Sequence, residues 1–91
     1  MEKIDYEKYS HVLKALSHPM RLKILEVLLD NEYCVTDVSN ELNIRQSIAS
    51  HHITILKNSG IVHSHKQGAR AYYIVKNDLA KGIISILQSK K

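Results

Sequence analysis

Apolar residues return every three or four positions over residues 5–16, where Tyr9, Val12, Leu13 and Leu16 alternate with Lys8, Ser10, His11 and Lys14. That spacing predicts an amphipathic first helix, ending before Ser17-His18-Pro19. Pro19 suits the first turn of a second helix, where its missing N–H leaves no bond unmade, and Leu22, Leu25, Leu28 and Leu29 then repeat on one face beside Ile24. Asp30-Asn31-Glu32 closes it. Thr36 is the expected N-cap of a short third helix with Val38 and Leu42 inward and Asn43 at its C-terminal turn. After about three residues, 46–59 forms a fourth helix stopped by Gly60. Two short helices at this spacing make a helix-turn-helix.

Beyond Gly60 the period changes from helical to alternating. Residues 61–66 and 70–76 are short runs rich in Ile, Val and Tyr, joined through Gln67-Gly68-Ala69, which predicts a hairpin, or wing, with glycine at its tip. Asp78 is the expected cap of a last helix in which Leu79, Ile83, Ile86 and Leu87 recur, with Ala80 and Ile84 widening the stripe. The expected fold is mainly α with a β-hairpin wing, a winged helix-turn-helix in the order α-α-α-α-β-β-α. Residues 1–91 suit a single winged-helix domain with one core. So apolar a terminal helix is expected to pack on the first helix or on its own copy in a second subunit. Tyr9, Val12, Leu79, Ile83, Ile86 and Leu87 then form a homodimer interface.

Charge gives the pattern a direction. Residues 1–42 hold five Lys/Arg against eight Asp/Glu, whereas 43–91 hold eight against one, and 43–77 contain Arg45, Lys57, Lys66, Arg70 and Lys76 with no acid. Segregated positive charge of this kind attracts phosphate by releasing its counterions. On a helical wheel Ile48, Ala49, His52, Ile53, Ile55 and Leu56 gather on one side of the fourth helix and Ser47, Ser50, Thr54, Lys57 and Asn58 on the other, with Gln46 and His51 flanking. The first face is expected to be buried, which makes His52 a core histidine. The second carries short hydroxyls and amides suited to base edges and phosphates in a major groove. In the wing, Lys66, Gln67 and Arg70 surround the tip, and the planar fork of Arg70 suits a minor groove or a phosphate.

These residues resemble a known family. Ala15-Leu16-Ser17-His18-Pro19-Met20-Arg21-Leu22-Lys23-Ile24-Leu25, then Gln46-Ser47-Ile48-Ala49-Ser50-His51-His52-Ile53 with Leu56, then Ser59-Gly60-Ile61-Val62 and Gly68-Ala69-Arg70-Ala71-Tyr72-Tyr73, are similar to the ArsR/SmtB winged-helix repressors. The resemblance implies a homodimeric bacterial or archaeal repressor that occupies promoter DNA and is released by an effector, whose identity the sequence does not supply. It places recognition contacts on Gln46, Ser47, Ser50 and His51 and a wing contact on Arg70. Arg45 stands where the family often has a small hydroxyl residue, and there it adds a phosphate contact.

The family's metal sites match poorly. Where one class of sensor carries Cys-Val-Cys-Asp, this chain has Cys34-Val35-Thr36-Asp37, without the second thiolate; between Asp78 and Lys91 there is neither a His nor a further acid for the other class. His63 and His65 share a strand face, with His11 and His18 remote in sequence, so no metal site and no cofactor is expected. The alternatives are a metal- or thiol-responsive sensor using Cys34 and histidines, and a winged-helix protein-interaction module, whose mark would be acids or bulky apolar groups on the exposed helix face. An enzyme is not expected, because no nucleophile-base pair or phosphate-binding glycine loop assembles at sensible spacing. With no apolar run near the roughly 20 residues that span a bilayer and a polar Met1-Glu2-Lys3-Ile4-Asp5 start, the protein is expected in the cytoplasm, away from membranes.

Overall fold

The computed structural model describes residues 3–90, so Met1 and Glu2 of the polar start and the C-terminal Lys91 lie outside the described residues. Five helices and one hairpin follow in the order α1 (Tyr6–Leu16), α2 (Pro19–Asp30), α3 (Val35–Leu42), α4 (Gln46–Asn58), β1 (Val62–Gln67), β2 (Arg70–Val75) and α5 (Asp78–Gln88). Among the described residues no helix is long and apolar enough to cross a membrane. Winged helix-turn-helix architecture, expected from the periodicities, is what the chain adopts.

The helix starts follow local hydrogen bonding. Asp5 caps α1 by accepting from Lys8 N at 3.1 Å, and the His18 ring caps α2 by accepting from Met20 N at 3.0 Å, with Pro19 at the first helical position. Two expected caps move. α3 begins after Cys34 rather than Thr36, because the Asp37 carboxylate reaches back to the Cys34 N–H at 3.1 Å and draws the start two residues earlier. α5 is capped by Asn77 rather than Asp78, since the Asn77 carbonyl accepts from Ala80 N at 2.9 Å and leaves Asp78 in the first turn.

Asn43 ends α3 in the left-handed region at φ 53°, a conformation Asn tolerates better than most residues, and the chain turns directly into α4. Gly60 takes φ 74° after α4, which lets Ile61 N reach Leu56 O at 3.0 Å and redirects the chain into the hairpin. The wing is an antiparallel pair running from Val62↔Val75 to Gln67↔Arg70, so Gln67 lies in the ladder and only Gly68 and Ala69 make the turn. A third, one-residue rung was not expected: Tyr33, between α2 and α3, bridges Tyr73, whose N–H donates to Tyr33 O at 2.9 Å. This rung ties the foot of the wing to the start of the helix-turn-helix.

Ile24, Leu25, Val38, Ile53, Leu56, Ile61 and Val62 are the largest fully buried side chains, drawn from α2, α3, α4 and the entry to the hairpin. Each contributes about 1.5–3 kcal/mol by leaving water. α4 therefore sits on a floor supplied by every neighbouring element. α5 lies on α2 through Ala80 and Ile84, with Gln88 donating to Glu26 at 3.3 Å. Its other stripe faces outward.

Candidate nucleic-acid interface

The two faces of α4 separate largely as the wheel predicts. Ala49, His52, Ile53 and Leu56 are buried, while Gln46, Ser47, Ser50, His51, Thr54, Lys57 and Asn58 are exposed. Ile48 is the exception. It was expected on the buried face but stands 41% exposed, because it lies at the edge of the apolar arc, whose middle, with Ala49 and Leu56, is what the neighbouring elements cover. Arg45 is the N-cap residue and its side chain makes no capping bond, which leaves its guanidinium exposed and the first amides of α4 without a side-chain cap.

Lys66, Gln67 and Arg70 are all exposed on the wing. Lys66 and Gln67 pair across the ladder with Ala71 and Arg70. Arg70 is also directed back toward the helix-turn-helix: its Nη1 lies 3.8 Å from the Cys34 sulfur, and Cys34 in turn gives its thiol and its N–H to Asp37, each at 3.1 Å. These two Cys34 bonds, with the nearby Arg70 charge, hold the Asp37 carboxyl below its usual pKa range. Arg70, beside the turn of the wing, is thus linked back to the start of α3 by a contact that its sequence position did not announce. On the same sheet, His65 lies 3.6 Å from Glu32.

Beneath the exposed face lies a polar cluster that fixes α4 to α2. The Arg21 side chain donates through Nε to Ala15 O and through Nη1 to His52 Nδ1 at 3.2 Å, while the His18 and His52 rings stand 4.6 Å apart. Arginine can only donate, so Nδ1 of His52 is an acceptor and the ring is neutral with its proton on Nε2. Burial, then the charges of His18, Arg21 and His51, push the His52 pKa below 6.5. The core histidine was legible from the wheel; its partner was not. A buried ring nitrogen requires a hydrogen-bond partner, and Arg21, near the start of α2, was a donor the sequence offered without a signal that paired it with His52.

This cluster predicts acid sensitivity. Because the folded pKa of His52 is depressed, its contribution to stability is present above about pH 6.5 and is lost as pH falls through the lower folded value, where the unfolded chain binds a proton that the fold resists. Thermal unfolding followed from about pH 7.5 down to about pH 5 should therefore show a smaller acid-induced fall in Tm for His52→Gln than for the wild type. An unchanged acid dependence in the variant would rule out His52 as a contributor.

The expected interface residues divide. Tyr9, Ile86 and Leu87 are exposed and Leu79 and Ile83 half-buried, whereas Val12 is buried, 4% exposed, within the protomer's own core. Val12 faces the core, and Leu13, about 100° further round the helix, is left outside. Among the described residues no group of three or more His, Cys, Asp or Glu comes together as a metal site.

Comparison with known proteins agrees with this geometry. Residues 18–64 match the arsR family of bacterial regulatory proteins. The chain is 41% identical over 88 residues to an HTH-type transcriptional regulator of Methanocaldococcus jannaschii, covering 96% of this chain and 97% of that protein. It superposes on HlyU from Vibrio cholerae with a TM-score of 0.86 at 35% identity, covering 98% of this chain and 96% of the other. A homodimeric winged helix-turn-helix DNA-binding domain from Mycobacterium bovis, 24% identical, shares the fold with a TM-score of 0.82, covering 98% of this chain and 87% of that one. The chain belongs to the arsR family of bacterial regulatory proteins: it is a winged helix-turn-helix DNA-binding transcriptional regulator, and not an enzyme.

Proposed function

We propose that the protein is a sequence-specific repressor which binds an inverted-repeat operator in double-stranded DNA as a homodimer. The observation that carries this reading is the exposed face of α4: hydroxyls, amides and one imidazole, without an acid, next to a basic hairpin. Gln46, Ser47, Ser50, His51 and Thr54 meet base edges and phosphates in the major groove, and Arg45 binds phosphate beside the helix start. Lys66, Gln67 and Arg70 grip the flanking backbone or minor groove, with Arg70 exchanging its weak contact to Cys34 for a phosphate oxygen. Residues 1–91 act as one unit carrying both DNA binding and dimerisation, and the protein works in the cytoplasm.

The dimer is built from the terminal helices. Tyr9 and Leu13 on α1 and Ile86 and Leu87 on α5 expose apolar surface that the protomer does not cover, and half-buried Leu79 and Ile83 extend it. A twofold axis there sets two α4 helices against half-sites about one helical turn apart. The metal sites found in other members of the family are not used, since Thr36 stands in place of a second thiolate and α5 lacks His.

Selection of duplexes from a randomised library, followed by affinity measurement on the enriched sequence, tests the proposal. The enriched sequence should be an inverted repeat. With three basic residues (Arg45, Lys66 and Arg70) on each of two subunits, affinity should fall on the order of a thousandfold between about 50 mM and about 200 mM salt. Affinity that stays flat with salt, or a library that returns no common sequence, would sink the reading.

A further inference from the structure

We propose that Ile48 is a specificity-determining residue which recognises the C5-methyl group of a thymine in the major groove; this rests on the DNA-binding role proposed above. The starting point is where the exposed large hydrophobic side chains lie. There are seven among the described residues: Ile4, Tyr6, Tyr9 and Leu13 lie on or just before α1, Ile86 and Leu87 lie on α5, and only Ile48 lies elsewhere. Six therefore belong to the terminal-helix surface that a second subunit covers. Ile48 needs a different partner.

Its surroundings say what that partner is. Ile48 is the third residue of α4, and its N–H bonds to Arg45 O at 3.1 Å, so it sits on the first turn, the end of a recognition helix that points its side chains at base edges. Ser47 and His51 flank it on the exposed arc, and every other exposed residue of α4 is polar or basic. A protein partner seeking an apolar anchor would find one isolated branched side chain inside a basic, hydroxyl-bearing surface, too little for a stable interface. DNA presents the complementary arrangement: phosphates for the basic rim, donors and acceptors for the amides and hydroxyls, and one apolar feature on the major-groove edge, the thymine methyl.

An isoleucine has no hydrogen-bonding atom, so its contribution is purely discriminatory. Against a cytosine N4 amino group or an adenine N6 amino group it would strand a donor without water, whereas against the thymine methyl it removes two apolar surfaces from solvent together. Ser50, Gln46 and His51 tolerate several bases through their mixed donors and acceptors; Ile48 accepts one.

Deoxyuridine differs from thymidine only by that methyl group, which makes it the direct probe. On the duplex selected from a randomised library, each thymine is replaced in turn by deoxyuridine and affinity is measured for the wild type, Ile48→Ala and Ile48→Val. One thymine in each half-site should show about a fourfold loss for the wild type when replaced, the value of one buried methyl group. Ile48→Val, which keeps a branched apolar end, should retain a penalty at that position, and Ile48→Ala should bind both duplexes alike. Indifference of the wild type to deoxyuridine at every position would overturn the assignment, as would an undiminished penalty in Ile48→Ala. A library that returned no enriched sequence would refute the DNA-reading role itself, a result distinct from either of these, and the assignment of Ile48 would fall with it.

Discussion

Replacing Ser50, His51 and Arg70 together by Ala should lower affinity for the selected operator by on the order of ten-thousandfold or more while leaving the fold intact. All three side chains are exposed, and none belongs to the core that seats α4. Substitutions of that kind change stability by about 0.5 kcal/mol or less, so the thermal midpoint should move by only a few degrees. Each base or phosphate contact contributes on the order of 1–3 kcal/mol to binding, and the dimer loses every contact twice. The salt dependence should flatten as well, because one phosphate-binding charge per subunit disappears with Arg70. Circular dichroism melting beside a binding isotherm at two salt concentrations separates the effects. Retention of near wild-type affinity by a folded triple variant would mean that another surface holds DNA.

The opposite signature is expected of Leu56→Ala. Leu56 is 0% exposed, lies on the inward face of α4, and belongs to the cluster formed with Ile24, Leu25, Val38, Ile53 and Ile61. Removing its branched end leaves a cavity beneath the recognition helix, at about 2–5 kcal/mol. That is a large part of the roughly 5–15 kcal/mol that holds a domain of this kind folded. Denaturant unfolding should show a lower midpoint at unchanged slope, compared at one protomer concentration because dimerisation adds to apparent stability. Lys57→Ala, one residue along and exposed, is the internal control and should shift stability by about 0.5 kcal/mol or less. A Leu56→Ala chain that lost less than about 1 kcal/mol would show that α4 does not depend on this seat.

Most of the fold was legible because each element carries its own signal. Helical spacing marked all five helices, the change to alternation after Gly60 marked the hairpin, and Gly68, at φ 66°, marked the turn. The errors lie where short-range alternatives compete. Thr36 and Asp78 are both good N-cap residues, yet Cys34 and Asn77 took the positions, because a neighbouring carboxylate in one case and a carboxamide in the other completed the better set of bonds. A wheel does not resolve the edge of an apolar arc either. Ile48 and Val12 both follow the periodicity, but whether an edge residue is covered depends on the neighbouring elements that pack there. α1 turns Val12 into the core, while α4 presents Ala49 and Leu56 to its neighbours and leaves Ile48 at the margin.

The links between distant residues were the least legible. Arg21 to His52 spans 31 positions, Arg70 to Cys34 spans 36, and the Tyr33–Tyr73 rung joins an interhelical loop to the wing. None leaves a periodic trace, because a single polar contact constrains two positions and no repeat.

By itself the sequence determined the elements, their order, the acid-free basic stretch 43–77 and the chemical character of the α4 surface, since these depend on local propensity, periodicity and composition. Only the tertiary structure decided which residues at the margins are covered. It set Val12 inside and Ile48 outside, joined Arg21 to His52 and tethered Arg70 beside Cys34. Burial and long-range pairing are properties of the space between elements, and that space exists only once they have packed.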